Sequence, residues 1–347
     1  MADVLFRVDA STVIGVGHVM RCKALAEALV ERGVGAVFVV AHPAEVVHRL
    51  LHGTGFDVLV LPARVVAGSV EDAACVGAIA RERAVRALVL DGYQFTPDYM
   101  VQLRASGPLA VLDDMATQPA LPCDLIINSA PHAFDLPYAT LTQGADTALG
   151  PAFSLIRKEI RDQIARGSVC LSQRSSVLVT FGGSDPLALT LPLVRGLLPV
   201  LPPQVVVDVL VGPAVAGVAQ LMADLQALGA GARLRTYHAP PQLAPIMARA
   251  GLAITAGGGT VGELVALGVP VVVAVVVDNQ EGAASAEGDN PAIDMRQPGS
   301  VTCLVHAAGR LWADAPARDA MARAGQAVVD GQGALRVADK VLQLRVD

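Results

Sequence analysis

The sequence has few aromatic residues, few charged residues and no concentration of positive charge. Phe, Trp and Tyr make up 3% of the 347 residues, the charged residues make up 17%, and the formal net charge is −6. An acidic chain without a Lys/Arg cluster lacks the surface that binds nucleic acid, so we expect no nucleic-acid partner. The apolar residues, 53% of the chain and mainly Ala, Val and Leu, favour helices packed on a parallel sheet over a β-sandwich.

The sequence also lacks a membrane-spanning segment and paired cysteines. Its longest apolar run, 264–277, contains Gly268 and Pro270 and is shorter than the roughly 20 residues that a membrane helix needs. Charged residues near the start predict no signal peptide. The five cysteines include no C-x-x-C pair, which is typical of small core residues in a reducing compartment. We therefore expect a cytoplasmic monomer without a membrane partner.

Apolar strands alternate with helical segments along the whole chain, and the length favours two domains. The sequence predicts an α/β protein with two doubly wound, Rossmann-like domains that face a cleft. We place the first domain at 1–150, a linker helix at 151–174 and the second domain at 175–347. The two halves share a strand, a glycine turn and a helix in that order.

The most informative stretch lies near the start, where a strand over 4–6 leads into a G-x-G turn and a helix. Gly15 and Gly17 form the turn, His18 falls in the first turn of the helix, and Arg21 follows one turn later. Backbone N–H groups at such a helix N-terminus bind anions, and the helix dipole there favours a neutral imidazole that can accept a proton. The alternative is a surface histidine beside an ordinary turn, because a lone G-x-G is a weak signal.

Several predicted strands of the first domain end in polar residues. Asp91 and Tyr93 follow one strand, Asp113 and Asp114 the next, and Asn128 ends a third. The carboxyl ends of parallel strands border the ligand crevice, so Asp91, Asp113 and Asn128 are candidates to lie beside His18. Each of them can instead be a helix cap or a polar group that fixes a loop.

The second domain repeats the pattern twice. Gly182, Gly183 and Ser184 follow a strand over 177–180, and Asp185-Pro186 predicts the start of a helix. Further on, a strand over 252–255 leads into a glycine turn at 257–259 and a helix with Thr260 as its cap. Glu263 either completes that capping box or accepts hydrogen bonds from a ribose beside phosphates. The turn residues in these two motifs are Gly182, Gly183, Ser184, Gly258, Gly259 and Thr260.

A strand over 271–277 is followed by a polar group that contains Asn279 and Gln280, and 286–299 is predicted to be a loop. Other ligand classes lack their motifs, since no Walker lysine, third dinucleotide glycine, zinc-ligand spacing or G-x-S-x-G elbow is present. The residues thus predict no metal and no cofactor. They leave a nucleotide-sugar site with His18 as the base.

These motifs together resemble the PseG family. Its members are UDP-2,4-diacetamido-2,4,6-trideoxy-β-L-altropyranose hydrolases, and the resemblance implies a role in pseudaminic acid biosynthesis and flagellin glycosylation. The likeness is most specific in the opening stretch and spans roughly 4–285. It is carried by VLFRVDAS and IGVGHVMRC within 4–22, LDGY at 90–93, LDD at 112–114, CDLIIN at 123–128, LGP at 149–151, FGGSD at 181–185 and DNQ at 278–280.

The resemblance implies the two-domain GT-B fold, since the family is similar to the UDP-GlcNAc glycosyltransferase MurG. It implies that His18 activates a water that attacks the anomeric carbon with inversion, while UDP leaves. By the same resemblance the C-terminal glycine turn holds the diphosphate, Glu263 the ribose and Asn279 the phosphate or sugar. Asp91 and Tyr93 then lie on the sugar side.

This chain departs from the family at the glycine turn 257–259, where serine is frequent, and at 286–299, where a helix and a short apolar return are usual. Two alternatives remain. One is a MurG-like GT-B glycosyltransferase that passes the sugar from a UDP-sugar donor to an acceptor. The other is a non-catalytic protein that binds nucleotide sugars, against which the intact His18 argues.

Overall fold

A computed structural model of the chain describes residues 3–10, 15–167, 169–280 and 292–345. The chain forms two compact units, Met1–Lys158 with Gln332–Asp347 and Glu159–Gly331. Each unit contains one parallel sheet with helices packed against it. Within the described ranges, no helix combines the length and the apolar character that crossing a membrane requires.

The first unit is built on a seven-stranded parallel sheet in the order β3-β2-β1-β4-β5-β6-β7. Val and Leu predominate in the central strands, which are buried on both faces as a sheet between two helical layers requires. Its strands are β1 Val4–Val8, β2 Ala36–Val40, β3 Asp57–Val60, β4 Ala87–Asp91, β5 Leu109–Leu112, β6 Leu125–Asn128 and β7 Asp146–Leu149. Its helices are α1 Gly17–Glu31, α2 Glu45–Leu51, α3 Val70–Glu82, α4 Pro97–Arg104 and α5 Tyr138–Leu141, followed by the last helix of the chain, Gly333–Gln343.

The second unit has a six-stranded parallel sheet in the order β10-β9-β8-β11-β12-β13. Its strands are β8 Ser176–Thr180, β9 Val206–Val211, β10 Leu234–His238, β11 Ala250–Ala256, β12 Val271–Val275 and β13 Ala292–Asp294. Its helices are α6 Lys158–Arg166, which begins at the unit boundary, α7 Thr190–Val200, α8 Val218–Ala227, α9 Ala244–Ala248, α10 Thr260–Ala266, α11 Ser300–Ala313 and α12 Ala315–Val328. We name the chain's last helix, Gly333–Gln343, α13. Both strand orders confirm the doubly wound topology that the sequence predicts.

The end of the chain differs from the predicted division, which assigned everything from 175 onward to the second domain. Helix α13 belongs to the first unit, where Val337 and Val341 join the same core as the apolar face of α1. An ion pair from Arg32 to Asp339, 2.6 Å long, flanks this contact. The reason is amphipathic packing, since the apolar face of α13 is buried against α1.

Three local predictions are corrected by the structure. The segment predicted as a loop over 286–299 contains β13, which pairs with β12, while 286–291 lies outside the described residues. Helix α7 begins at Thr190 instead of Asp185, because Ala188 has a positive φ of 51° that interrupts a helix. All five cysteines are free, as an absence of disulfides requires. Cys170 and Cys303 are exposed, so the prediction that all five are core residues is wrong for these two.

Candidate active site

His18 lies in the first turn of α1, and its ring contacts the buried carboxylate of Asp91. The Nδ1 atom of His18 is 2.6 Å from Oδ1 of Asp91, the last residue of β4. Strands β1 and β4 are neighbours, with Val8 opposite Asp91, so the helix that follows β1 begins beside the end of β4. The sheet order therefore brings together two residues that the sequence identified separately.

Arg21, one turn further along α1, binds the same carboxylate with two hydrogen bonds. Its Nε donates to Oδ2 of Asp91 at 2.6 Å and its Nη2 donates to Oδ1 at 2.7 Å. Burial alone would raise the pKa of Asp91, but the charge of Arg21 and the hydrogen bonds from Arg21 and His18 outweigh it and lower that pKa. Asp91 is therefore a carboxylate at neutral pH.

The ionised Asp91 determines which nitrogen of His18 carries the proton. A carboxylate accepts hydrogen bonds and cannot donate them, so the 2.6 Å contact requires a proton on Nδ1 of His18. Nη2 of Arg21 lies 3.2 Å from the same nitrogen, but it carries hydrogens of its own and cannot bond a protonated Nδ1. Nε2 is then the nitrogen that accepts a proton. The sequence named Asp91 as a candidate to lie beside His18, but it did not predict that their contact fixes the tautomer.

Asp114 and Tyr93 extend the contacts of Arg21 and His18. Nη1 of Arg21 donates to Oδ1 of Asp114 at 2.7 Å, and the hydroxyl of Tyr93 donates to Oδ2 of Asp114 at 2.8 Å. The Tyr93 ring returns to His18 edge to face, with the ring centroids 4.9 Å apart and the planes at 81°. We call His18, Arg21, Asp91, Tyr93 and Asp114 the His18 cluster.

Charge pairing sets the ionisation of the cluster. Burial would raise the pKa of Asp114, but the adjacent Arg21 guanidinium lowers it below its usual range. Burial also opposes the charge of Arg21, yet Asp114 and Asp91 together raise the pKa of Arg21 well above its usual value. The cluster thus holds two carboxylates and one guanidinium at neutral pH. Asp114 was noted in the sequence as the end of a strand, but it was not among the predicted site residues.

Gly15 and Gly17 lie before and at the start of α1. Gly15 has a φ of +82°, which favours glycine, and a Cβ atom at either position would meet no described atom within 4 Å. Among the described residues no side chain caps α1. No described side chain therefore occupies the space beside these two glycines, and the anion site stays a prediction. Residues 11–14 of the opening motif lie outside the described residues.

Asn128 is not part of the His18 cluster. It is buried, its Nδ2 donates to the Tyr138 hydroxyl at 2.8 Å, and its Oδ1 accepts from the backbone N–H of Ala130 at 2.9 Å. The Tyr138 hydroxyl in turn donates to Asp113 at 2.6 Å. Asn128 and Asp113 therefore fix the loops after β5 and β6, and none of these hydrogen bonds reaches His18. A substrate contact by Asn128 stays a prediction.

In the second unit, the two predicted glycine turns lie side by side. Gly182, with a φ of +75°, follows β8, and a Cβ atom there would lie 3.7 Å from Oγ1 of Thr260 at the start of α10. Gly183 and Ser184 are half-buried beside it. The adjacency follows from the pairing of β8 with β11, which sets Thr180 opposite Thr255.

The turn before α10 has space beside its glycines, and the predicted capping box does not form there. Gly258 and Gly259 are exposed, and a Cβ atom at either would meet no described atom within 4 Å. The cap residue is Gly259 and it makes no side-chain cap, so Thr260 is the first helical residue instead of the cap. Glu263 is buried in the first turn of α10. Thr260 is therefore not the cap residue that the predicted capping box requires, and the ribose contact of Glu263 stays a prediction.

Gln280 holds the glycine turn in place. Its Oε1 accepts hydrogen bonds from the backbone N–H groups of Val276 at 3.1 Å and Gly257 at 3.3 Å. Asn279 precedes it in the 3₁₀ turn Asp278–Gln280 that follows β12. The structure thus gives Gln280 a role in shaping the turn, which the sequence could not distinguish from ligand contact.

No protein-family model and no curated protein matches this sequence. Solved structures do match over nearly the whole chain. MurG from Acinetobacter baumannii is 17% identical with a TM-score of 0.64, covering 99% of this chain and 100% of its own. MnaA from S. aureus, solved with UDP, is 12% identical with a TM-score of 0.63 over 98% and 96% of the two chains.

A third solved structure is HepE from Anabaena in complex with UDP and glucose. It is 14% identical with a TM-score of 0.59 over 99% of both chains. Identities this low establish the architecture and nothing finer. With two parallel sheets of seven and six strands in doubly wound order, the chain has the GT-B fold of these glycosyltransferase-like structures.

Proposed function

We propose that this protein is an enzyme that uses a UDP-sugar, with His18 as the general base that activates a nucleophile for attack at the anomeric carbon. The observation that carries the proposal is the 2.6 Å contact from His18 to the ionised Asp91. It keeps Nδ1 protonated and Nε2 able to take a proton. His18 belongs to helix α1 and Asp91 to strand β4, so regular elements hold both residues in place.

The reaction balances without a metal or a cofactor. Nε2 of His18 takes a proton from the nucleophile, whose oxygen forms a bond to the anomeric carbon from the side opposite the diphosphate. The bond from that carbon to the phosphate oxygen breaks, UDP leaves with the electron pair, and the configuration inverts. A nucleoside diphosphate is a good leaving group, so a base and a well-held diphosphate suffice. A Cβ atom at Gly15 or Gly17 would meet no described atom within 4 Å, which supports the approach of a phosphate or sugar to this turn.

We assign UDP binding to the second unit. Gly182, Gly258 and Gly259 are open to close approach, and the turns that contain them are adjacent. The buried Glu263 is proposed to accept from the ribose hydroxyls, and Asn279 to contact the phosphate or sugar. Binding of UDP by MnaA and HepE, which share the fold, supports UDP as the nucleotide.

Two nucleophiles fit the same base. The match to MurG and to the calicheamicin glycosyltransferase CalG4 favours a sugar-acceptor hydroxyl, and therefore a glycosyltransferase. The PseG-like opening stretch favours water, and therefore a hydrolase that releases 2,4-diacetamido-2,4,6-trideoxy-L-altrose. The base, the leaving group and the inversion are common to both.

The experiment is to measure UDP release without an acceptor from UDP-2,4-diacetamido-2,4,6-trideoxy-β-L-altropyranose, with UDP-GlcNAc in parallel. Rapid release from the first and little from the second would support the hydrolase. Binding of UDP without release from either would support the transferase, and an acceptor screen would follow. Failure to bind UDP at all would overturn the proposal.

A further inference from the structure

We infer that Asp114 is a positioning residue that neutralises Arg21 and so leaves the negative charge of Asp91 available to His18. The inference rests on the proposed role of His18 as the base. Asp114 does not touch His18. It acts through Arg21, which it contacts at 2.7 Å and which also binds both oxygens of Asp91.

The net charge of the His18 cluster depends on Asp114 and on the protonation of His18. Two carboxylates and one guanidinium carry a net charge of −1 while His18 is neutral, and the cluster becomes neutral when His18 takes a proton. Without Asp114, Arg21 would cancel Asp91, and a protonated His18 would leave a net charge of +1. Since Asp91 is fully buried and His18 is 7% exposed, water screens this difference weakly. Asp114 therefore favours the protonated state that forms when the nucleophile is deprotonated.

The guanidinium of Arg21 is held between Asp91 and Asp114. The side chain of Arg21 is 24% exposed, and its three nitrogens are all used in bonds to Asp91 and Asp114. The Tyr93 hydroxyl occupies the second oxygen of Asp114 and fixes the orientation of that carboxylate. Asp114 thus holds the guanidinium in the plane in which it meets Asp91 with two bonds.

The groups of the cluster around His18 come from four parts of the first unit. Helix α1 contributes Arg21, strand β4 contributes Asp91, and the segments after β4 and β5 contribute Tyr93 and Asp114. Cys22 of α1 lies 3.5 Å from Asp91, but burial raises the pKa of its thiol, which stays uncharged. These groups belong to the contacts that join His18 to Asp91, Arg21, Tyr93 and Asp114.

The test compares Asp114→Asn, Arg21→Gln and the double variant Arg21→Gln/Asp114→Asn. The protonation of His18 is followed directly by NMR of ¹³C- and ¹⁵N-labelled histidine. Its signal among the seven histidines is the one absent from His18→Asn. Thermal unfolding and UDP affinity are measured on every variant, so that a misfolded protein is recognised.

Asp114→Asn should lower the midpoint of the His18 titration by about 0.5–1 pH unit, because a nearby charge shifts a titration by this order. Arg21→Gln should raise it, and the double variant, which restores a net charge of −1, should return it toward wild type. In turnover, Asp114→Asn should lower kcat about 3- to 10-fold at neutral pH with KM within about twofold, since the base weakens while binding is untouched.

An Asp114→Asn midpoint at or above wild type would overturn the inference, as would a double variant that stays at the Asp114→Asn value. A purely structural role would instead lower the unfolding temperature and UDP affinity without the opposite shifts in the two single variants. The NMR titration needs no substrate. If it behaves as expected while no UDP-sugar is turned over, the charge arrangement stands and the proposed function fails.

Discussion

Nδ1 of His18 and Oδ1 of Asp91 lie 2.6 Å apart although 73 residues separate them in the chain. Parallel strands β1 and β4 are adjacent in the sheet, and the first turn of α1 therefore meets the last residue of β4. The ionised carboxylate fixes the Nδ1–H tautomer and leaves Nε2 as the nitrogen that accepts a proton. Because of this contact, His18 is a candidate general base.

Replacing His18 with asparagine should abolish most turnover while the protein still folds and binds UDP. Asparagine retains a side-chain amide that can donate to Asp91, but it has no nitrogen that accepts a proton. One general base is worth about 10²- to 10⁴-fold in rate, so kcat should fall by that order. Steady-state kinetics with the UDP-sugar measure the loss, and titration calorimetry with UDP is the control. Undiminished turnover would remove His18 from the mechanism.

The stability of the protein should decrease in acid because of the buried carboxylates. The pKa of Asp91 is lowered in the folded state, so Asp91 stabilises the fold above its unfolded pKa of about 4 and loses this contribution as the pH falls toward the folded value. Asp114 acts in the same direction.

The variant that tests this pH dependence is Asp91→Asn. It should be less stable than wild type at neutral pH, yet its unfolding free energy should change less between about pH 5 and pH 2, because it lacks a titrating carboxylate at this position. Urea unfolding at each pH measures the slope. Asp98→Asn, at an exposed position, is the matched control. Equal slopes for Asp91→Asn and wild type would contradict the assignment of the acid sensitivity to Asp91.

The sequence predicted the sheets, the glycine turns and several members of the site, because these depend on local patterns. Apolar runs that end in Asp91 or lead into Gly182 specify strands and turns without knowledge of the partners. The same patterns could not show that Asp91 is ionised beside Arg21, since this depends on which strands are neighbours. Asp114 was missed as a site residue for the same reason. Its position in the chain resembles that of Asp113, which fixes a loop.

The errors at Thr260 and α13 have a related cause. A Thr three residues before a Glu is a capping signal, but the helix begins one residue earlier than that signal requires and Gly259 is the cap residue. The apolar face of α13 matches the core of either unit equally well in sequence. Packing against α1 assigns it to the first unit.

Glu263→Ala should weaken UDP binding without a matching loss of turnover at saturating substrate. A carboxylate that accepts two ribose hydroxyls contributes about 1.5–3 kcal/mol, so the affinity for UDP should fall about 10- to 100-fold. Glu263→Gln is the matched variant and should lose less, because its amide oxygen still accepts. Calorimetry with UDP and with UMP measures both variants. An unchanged affinity would assign Glu263 a structural role in α10.

Two glycine variants separate the binding of UDP from the stability of the second unit. Gly212 is buried, and a Cβ atom there would lie 2.1 Å from the carbonyl oxygen of Gly182, which belongs to a turn that cannot move without disturbing β8. Gly212→Ala should therefore destabilise the protein by about 1–3 kcal/mol through overpacking. Its UDP affinity should fall as well, because the displaced backbone belongs to one of the two adjacent turns that we propose bind UDP.

Gly258→Ala provides the contrasting case. Gly258 is exposed, its φ is not in the left-handed region, and a Cβ atom there would meet no described atom within 4 Å. The folded protein should thus accept alanine with an unfolding temperature within about 1 °C of wild type, as at other unstrained surface positions. If the diphosphate lies against this backbone, the added methyl group should lower UDP affinity at least about tenfold, because it occupies the space that the phosphate needs. Wild-type affinity in Gly258→Ala, together with reduced affinity in Gly212→Ala, would move the diphosphate from the turn before α10 to the turn after β8.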